Sequence, residues 1–572
     1  MGIKCAACNS NIRRLENQRN LLRDKNDLYY HKNSNLSYSP QKTRREKIDL
    51  IMPKFKSKNT FPISKNISNI KETKLVFIPE CLIKENNDSP DKKYIIIRKI
   101  GQGGFGKVYY AKDKIFQKEV AIKKILKDKN NENNVYNLRI LNEINILKKL
   151  CHPSIIKIYE VFNQTDEYYI VNEYCKFGDL VGQLKNGLDE MQISNILFQI
   201  LSGISYLHFH GIIHRDLKLE NILVSNILMV NIKGKISQYY HLKIIDFGTA
   251  KLKTKQNEKT IIGTTYYMAP EVINQNYNNK CDLWSIGVIL YILMTGDIPF
   301  QGENEEKIIN SILKGKYNTK NERLKKYPKS LQSLLRHLLD INLQTRYSAD
   351  QALKCDFFKR YDPILPYKIL IKTEDLEKYF NNLINYQLTS KIEQIFIAII
   401  CHFAVFFKEE NNILIIFRYF NKEMNGLLTK KELYDGLIEY YKMKGEDTGD
   451  FSKYDFLVYG DTIEEIFTVL DTDNSGYIEY EEFIRGCVDR NLLTKEKYVK
   501  EFYDNIDKEG KNEITLQQIR EAIFDITSNS KNVVEDIILD IQNTFGIKEE
   551  DTINFEKFIE IFQYSRNKYN SK

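Results

Sequence analysis

The sequence predicts an α+β domain followed by an all-α domain. Three observations carry this: a β-branched and aromatic run punctuated by glycines from Tyr94, helical apolar spacing beginning near Leu141, and an apolar-helix, polar-loop, helix unit recurring after Phe358. At 572 residues the chain exceeds one ordinary core, so two or more domains are expected.

Residues 1–90 read as a basic arm. Residues 1–80 hold 17 Lys/Arg against 7 Asp/Glu, and the remaining 68 against 69 are balanced, so the net charge of +9 belongs to this arm. It is rich in Asn, Ser and Lys and lacks apolar periodicity, which suits a solvated tail or one held at an anionic membrane surface. No aromatic-basic groove pattern accompanies the charge, so no nucleic-acid partner is expected. The opening "MGIKCAACNS" resembles a doubly acylated anchor, with myristate on Gly2 and palmitate on Cys5 and Cys8, although Ala6 stands where the motif has Ser or Thr. Cys5-x-x-Cys8 is also half a zinc pattern, but no second Cys/His pair lies near. Nine scattered cysteines indicate a reducing compartment. There is no secretory signal, and the longest apolar stretch, Ile395 to Phe407, is too short to span a bilayer and reads as a buried helix. The expected location is cytoplasmic, at the cytoplasmic face of a membrane.

From Tyr94, "YIIIRKIGQGGFGKVYYAKD" sets Gly101, Gly103 and Gly106 before a β-branched and aromatic return. In a dinucleotide fold such glycines open a helix; here the chain returns as a strand. A glycine hairpin can lie over phosphates because its N–H groups are unobstructed. "EVAIKKI" then puts Lys123 on a strand within reach of phosphate oxygens. "LNEINILKKLCHP" spaces Leu141, Ile144, Leu147 and Leu150 as a helix, with Glu143 available to fix that lysine. "IIHRDLKLEN" and "KIIDFGTA" supply Asp216, Lys218, Asn221 and Asp246.

This ordered set resembles the protein kinase family over residues 94–358, with an N-lobe of 94–175 and a C-lobe of 176–358. The resemblance implies ATP and magnesium as cofactors. Gly101, Gly103, Gly106 and Val108 match the phosphate-covering loop, with Ile100 and Ala121 beside the nucleotide. Lys123 matches the phosphate lysine and Glu143 its ion-pair partner. Asp216 matches the base, and Asn221 and Asp246 the magnesium ligands. Backbone at Glu173 and Cys175 would meet adenine. Lys218 and Thr264 resemble the serine/threonine branch. Glu271 with Arg346, and Asp282, match structural positions. Asp179 lies where related kinases contact a basic residue of the protein substrate. Two departures stand out: Asn172 replaces the usual bulky apolar residue before Glu173, and the stretch from Asn221 to Asp246 is long, which predicts an extended hairpin.

In the C-terminal third, "DTDNSGYIEYEE" offers oxygens from Asp471, Asp473, Ser475, the Tyr477 carbonyl, Glu479 and Glu482 around Gly476. That rhythm suits calcium, which takes six to eight oxygens and a bidentate carboxylate at the twelfth loop position. An earlier loop has Asn421, Glu423, Asn425, the Leu427 carbonyl, Thr429 and Glu432, so weaker calcium binding is expected there. Lys511, Asn512 and Gln518 spoil a third loop, and Gly546, Lys548 and Lys557 a fourth. The four units resemble EF-hands, registered on Leu428, Ile478, Ile514 and Ile553 at loop position eight.

A protein kinase fold followed by four EF-hands over 405–570 resembles the calcium-dependent protein kinases. The resemblance implies transfer of the ATP γ-phosphate to Ser/Thr hydroxyls, released from autoinhibition by calcium. The junction 359–404 would carry the inhibitor, with Leu376 and Phe380 at helical spacing and Lys378 as a basic plug; equally, that helix packs against the hands. The rival functions are a catalytically inactive calcium-sensing scaffold and a kinase whose hands serve only for docking.

Overall fold

Alternation of buried and half-buried side chains lays the first part of the chain down as a six-stranded sheet. The computed structural model describes residues 83 and 85–570, except 104–105, 129–134, 185–186, 253–262, 387–390, 404–409, 444–455, 491–494, 508–509 and 527–530. Gly2, Cys5, Cys8 and almost all of the basic arm lie outside the described residues. The strands are β1 (Glu85–Asn86), β2 (Tyr94–Gly103), β3 (Gly106–Asp113), β4 (Glu119–Leu126), β5 (Ile158–Asn163) and β6 (Glu167–Glu173), in the order β1-β5-β6-β4-β3-β2. Antiparallel β2 and β3 carry the glycines, with Gly101 opposite Val108 and Gly103 opposite Gly106. A Cβ on Gly106 would lie 2.1 Å from the Lys124 carbonyl oxygen, so this close approach of backbones requires glycine.

Helix α1 (Val135–Leu147) lies between β4 and β5 in sequence. Its buried side chains include Ile140, Ile144 and Leu147, whereas Leu141, expected inside, is 37% exposed. At 100° per residue, Leu141 falls one step off the stripe that 140, 144 and 147 define.

The second lobe is helical. Its central helix α2 (Glu190–Phe209) starts at an Asp189–Gln192 capping box and is buried from Ile193 to Leu207. Helix α3 (Lys280–Thr295) stops at Gly296, whose φ of 75° suits only an unbranched backbone. The long stretch after Asn221 is an antiparallel hairpin, β7 (Ile222–Ile232) and β8 (Lys235–Ile244). Gln199 of α2 anchors it by donating to the Tyr240 carbonyl (2.6 Å) and accepting from Leu242 N (3.0 Å).

The rest is helical apart from short strand pairings: α4 (Thr373–Tyr386), α5 (Lys391–Phe403), and four helix–loop–helix units, α6–α7 (Glu410–Phe420, Lys430–Met443), α8–α9 (Phe456–Leu470, Tyr480–Cys487), α10–α11 (Glu496–Ile506, Leu516–Ile526) and α12–α13 (Lys531–Phe545, Phe555–Asn570). The loops pair at the expected residues. Leu428 faces Ile478 in an isolated bridge, and Ile514 faces Ile553 between β9 (Glu513–Thr515) and β10 (Thr552–Asn554). Helix α4 buries Leu376, Tyr379, Phe380, Leu383 and Tyr386 in the same apolar cluster as these units, and α5 buries Ile395, Phe396 and Ile397 there. Lys378 lies beside the ring of its neighbour Tyr379, 5.4 Å from the centroid.

Candidate active site and calcium loops

The strand register sets the upper half of the site. Lys123 on β4 sits opposite Val108 of β3 and Ile170 of β6, and Ala121 opposite Asn172. Its ammonium reaches both oxygens of Glu143 from α1, at 2.6 and 2.8 Å. The pair is mostly buried, which strengthens the attraction that fixes the lysine's position. The Asn172 side-chain oxygen is buried without a partner, while the Glu173 amide donates to the Lys157 carbonyl and its carboxylate pairs with Lys243 at 2.8 Å.

The lower half hangs on Asp282. This wholly buried carboxylate accepts from the amides of His214 (3.0 Å) and Arg215 (2.9 Å) and from the His208 ring (2.9 Å). Burial opposes its charge, but His208, His214 and these bonds hold its pKa below the ordinary value. Arg215, its amide so gripped, sits at φ 71° just before Asp216. Asp216 Oδ2 accepts from Lys218 Nζ (2.6 Å), and Oδ1 from the Thr264 amide (3.1 Å) and hydroxyl (2.9 Å). Lys218 also donates to Thr264 Oγ1 (3.0 Å), and Asn221 Nδ2 to the Asp216 carbonyl (2.9 Å). Asp246, at φ 67°, has a buried Oδ1 with no hydrogen-bond partner. A buried lone carboxylate oxygen is costly unless a cation meets it, so the donor set here fits magnesium. Below the site, Arg346 is fully buried and grips both oxygens of Glu271, the second at 2.9 Å.

The loop after α8 gathers carboxylates. Asp471, Asp473 and Glu482 each bring an oxygen to within 4.8 Å of the others, the one such acidic or metal-ligating cluster among the described residues. Asp471 Oδ1 accepts from Ser475 N (2.9 Å) and Oδ2 from Gly476 N (3.1 Å). Glu482 Oε1 accepts from the Thr472 amide and hydroxyl (both 2.8 Å), and Oε2 from Glu479 N (3.0 Å). Burial pushes its carboxyl up to about 7 despite Arg485 beside it. These oxygens, with Gly476 at φ 82°, fit calcium.

The loop after α6 is arranged otherwise. Asn421 Nδ2 donates to the Leu427 carbonyl (2.8 Å) and lies 3.2 Å from Asn425 Oδ1 and 3.4 Å from Glu432 Oε1. Glu423 is turned outward to Lys354 at 2.6 Å. Glu432 accepts from Thr429 N and Oγ1, so Thr429 faces it. Of the six weaker ligands expected, the structure therefore brings Asn425, Leu427 and Glu432 around an amide nitrogen and directs Glu423 elsewhere.

A protein kinase domain model matches residues 94–358, and an EF hand domain model matches residues 462–489. The chain is 32% identical to calcium-dependent protein kinase 4 of Plasmodium berghei over 82% of its own length and 88% of that protein's. The same identity holds with calcium-dependent protein kinase 4 of Plasmodium falciparum, over 84% and 88%; calcium-dependent protein kinase 3 of Plasmodium berghei is 30% identical over 81% and 79%. The chain belongs to the calcium-dependent protein kinase family. It is a calcium-regulated serine/threonine protein kinase, whose kinase domain implies ATP and magnesium, whose EF-hand implies calcium, and whose substrates are proteins. Among the described residues no helix is long and apolar enough to cross a membrane.

Sequence reading missed the residues of this kinase that join the two domains. Tyr206 Oη donates to Glu479 Oε2 (2.8 Å), and His210 Nε2 lies 3.1 Å from Oε1 of the same calcium-loop carboxylate. Phe209 meets Tyr477 edge-on, with ring centroids 5.5 Å apart. The spacing of 206 and 209 on α2 and of 210 at its C-cap was visible, but an apolar and aromatic helix face is indistinguishable from core without its partner. Arg418 of α6 stacks on Tyr367 and approaches Ser154 (3.4 Å), another contact with no local signature.

Proposed function

We propose that this chain carries the ATP γ-phosphate to Ser/Thr hydroxyls of protein substrates under control of calcium at the loop Asp471–Glu482. The observation that supports the catalytic assignment most directly is the Asp216 carboxylate, held by Lys218 and Thr264 within reach of Asn221. Its Oδ2 would take the substrate hydroxyl proton, while Lys218 balances the charge at the transferring centre. Lys123, oriented by Glu143, would hold α- and β-phosphate oxygens under the Gly101–Gly106 turn. Ile100, Val108 and Ala121, with hinge backbone at Glu173 and Cys175, would hold adenine. Asn221 and Asp246 would ligate magnesium, which supplies charge neutralisation at the phosphates when bound.

Calcium has a short route to the junction helix. Glu482 lies in the first turn of α9. The same helix carries Gly486, where a Cβ would come 2.6 Å from Leu383 of α4, and its Cys487 carbonyl accepts from Asn382 of α4 (2.8 Å). Closing the loop on an ion moves α9, and α9 grips α4. The junction 359–404 is thus the two-state element that calcium biases. Asp179, exposed on the substrate side, favours a basic residue in the substrate, and acylation at Gly2, Cys5 and Cys8 with the basic arm would hold the kinase at a membrane.

The test is phosphate incorporation into a basic Ser/Thr peptide with calcium and with chelator. Calcium should stimulate the wild type, and Asp216→Asn should abolish transfer in both conditions without unfolding the chain. Near-normal turnover by Asp216→Asn would refute the assignment. A wild type inactive in both conditions would instead favour the inactive scaffold.

A further inference from the structure

The second loop opens on a carboxylate, the first on a carboxamide, and the two groups have different capacities. Asp471 presents an oxygen on both sides: Oδ2 accepts the Gly476 amide at the turn, Oδ1 accepts Ser475 N, and no N–H donor of this side chain enters the loop. Asn421 has one oxygen, and it is spent in the same turn, accepting Gly426 N at 2.8 Å. The –NH2 is thereby directed inward, onto the Leu427 carbonyl, Asn425 Oδ1 and Glu432 Oε1. Those are loop positions seven, five and twelve, the oxygens a cation would use. Flipping the amide would bring an N–H donor against the Gly426 N–H and leave both without an acceptor.

A second observation is independent of the amide. Glu423, at the third position, pairs with Lys354 of the catalytic domain rather than facing the loop. The turn itself is pressed onto that domain. Leu427 is buried in the catalytic domain's own apolar cluster, and a Cβ on Gly426 would come 2.2 Å from the His152 ring.

We infer that the first loop, Asn421–Glu432, takes no calcium because its own Asn421 amide fills the position of the ion, and that the loop is instead a docking surface for the catalytic domain. Asn421, Glu423, Gly426 and Leu427 form that surface, and Lys354 and His152 receive it. This deepens the reading of the second loop as the switch and replaces the expectation of a weaker site.

The test counts ions on the full chain in calcium titrations monitored by equilibrium dialysis. Wild type should bind about one ion per chain at sub-millimolar calcium, and Glu432→Gln should leave that number unchanged. Asn421→Asp supplies the second carboxylate oxygen and should add an ion. A wild type binding two ions, one of them lost in Glu432→Gln, would overturn the inference whether or not Asn421→Asp folds. Loss of the wild type's only ion in Glu432→Gln would overturn it too. A wild type binding none would refute the second loop as the switch while the exclusion at the first loop stood, so the two readings fail separately.

Discussion

The first and second loops share a turn and differ in what the turn is for. Gly426 and Gly476 hold the sixth position at φ 80° and 82°, and Leu428 pairs with Ile478 across the two. One loop converges three carboxylates and touches the catalytic domain through a fourth, Glu479 on Tyr206 and His210. The other converges on an amide and touches that domain through the Glu423–Lys354 pair, the Gly426 backbone and the buried Leu427. If the Asn421 amide excludes the ion, similar local geometry serves binding in one loop and packing in the other, with one carboxylate against one carboxamide as the difference.

The largest contrast should come from the twelfth position. Glu482→Gln removes a charge and the bidentate grip, so the calcium needed for half-maximal activity should rise at least about tenfold. Glu432→Gln should not move it. Equal shifts in calcium titrations of activity would erase the contrast.

The sixth position separates the loops by packing. Gly476→Ala meets nothing within 4 Å and pays only for the left-handed backbone, about 1–2 kcal/mol. Gly426→Ala must also displace the His152 ring, which adds roughly 1–3 kcal/mol. Denaturant unfolding in chelator should rank them so; equal losses would show that the first loop is not pressed onto the catalytic domain.

A smaller effect is expected at Tyr206. If the arrangement seen, with Lys123 paired with Glu143 and α4 packed among the helix–loop–helix units, is the one calcium favours, the Glu479 contact stabilises it. Tyr206→Phe removes one hydrogen bond worth about 0.5–1.5 kcal/mol, so half-activation should need roughly two- to tenfold more calcium, with maximal rate unchanged. A lowered maximal rate at unchanged calcium sensitivity would place Tyr206 outside the coupling. At the small end, Gln518→Ala and Lys557→Ala should leave calcium dependence as it is. In the third loop Asp507 already accepts Lys511 N (3.0 Å) and Asn512 N (2.6 Å), with Asn512 standing in for glycine at φ 56°.

The catalytic centre was legible because its chemistry is carried by residue types at ordered spacings. Lys123, Glu143, Asp216, Lys218, Asn221, Asp246 and Thr264 were all named from sequence, and local rules placed the glycine turn on a hairpin and Glu143 on a helix. Leu141 was misplaced because a stripe of apolar residues one step wide in either direction satisfies the same period. At the first loop, position-by-position matching counts oxygens and does not ask which are already spent. Asn421 has an oxygen, and only the Gly426 bond shows that it is used.

By itself the sequence determined the α+β and all-α division, the kinase and EF-hand regions and the pairing of loops at position eight, and it nominated the phosphoryl-transfer residues and the second calcium loop. Each follows from short-range pattern, where backbone period and side-chain chemistry leave one solution. The tertiary structure alone decided where the helical domain rests, that α4 packs among the helix–loop–helix units, that Glu423 turns to Lys354, and that Glu479 is held by Tyr206 and His210. Those contacts join residues far apart in the chain, 273 positions for Tyr206 and Glu479, and no periodicity encodes such a partner, because burial and charge are satisfied equally well by many neighbours until the domains meet.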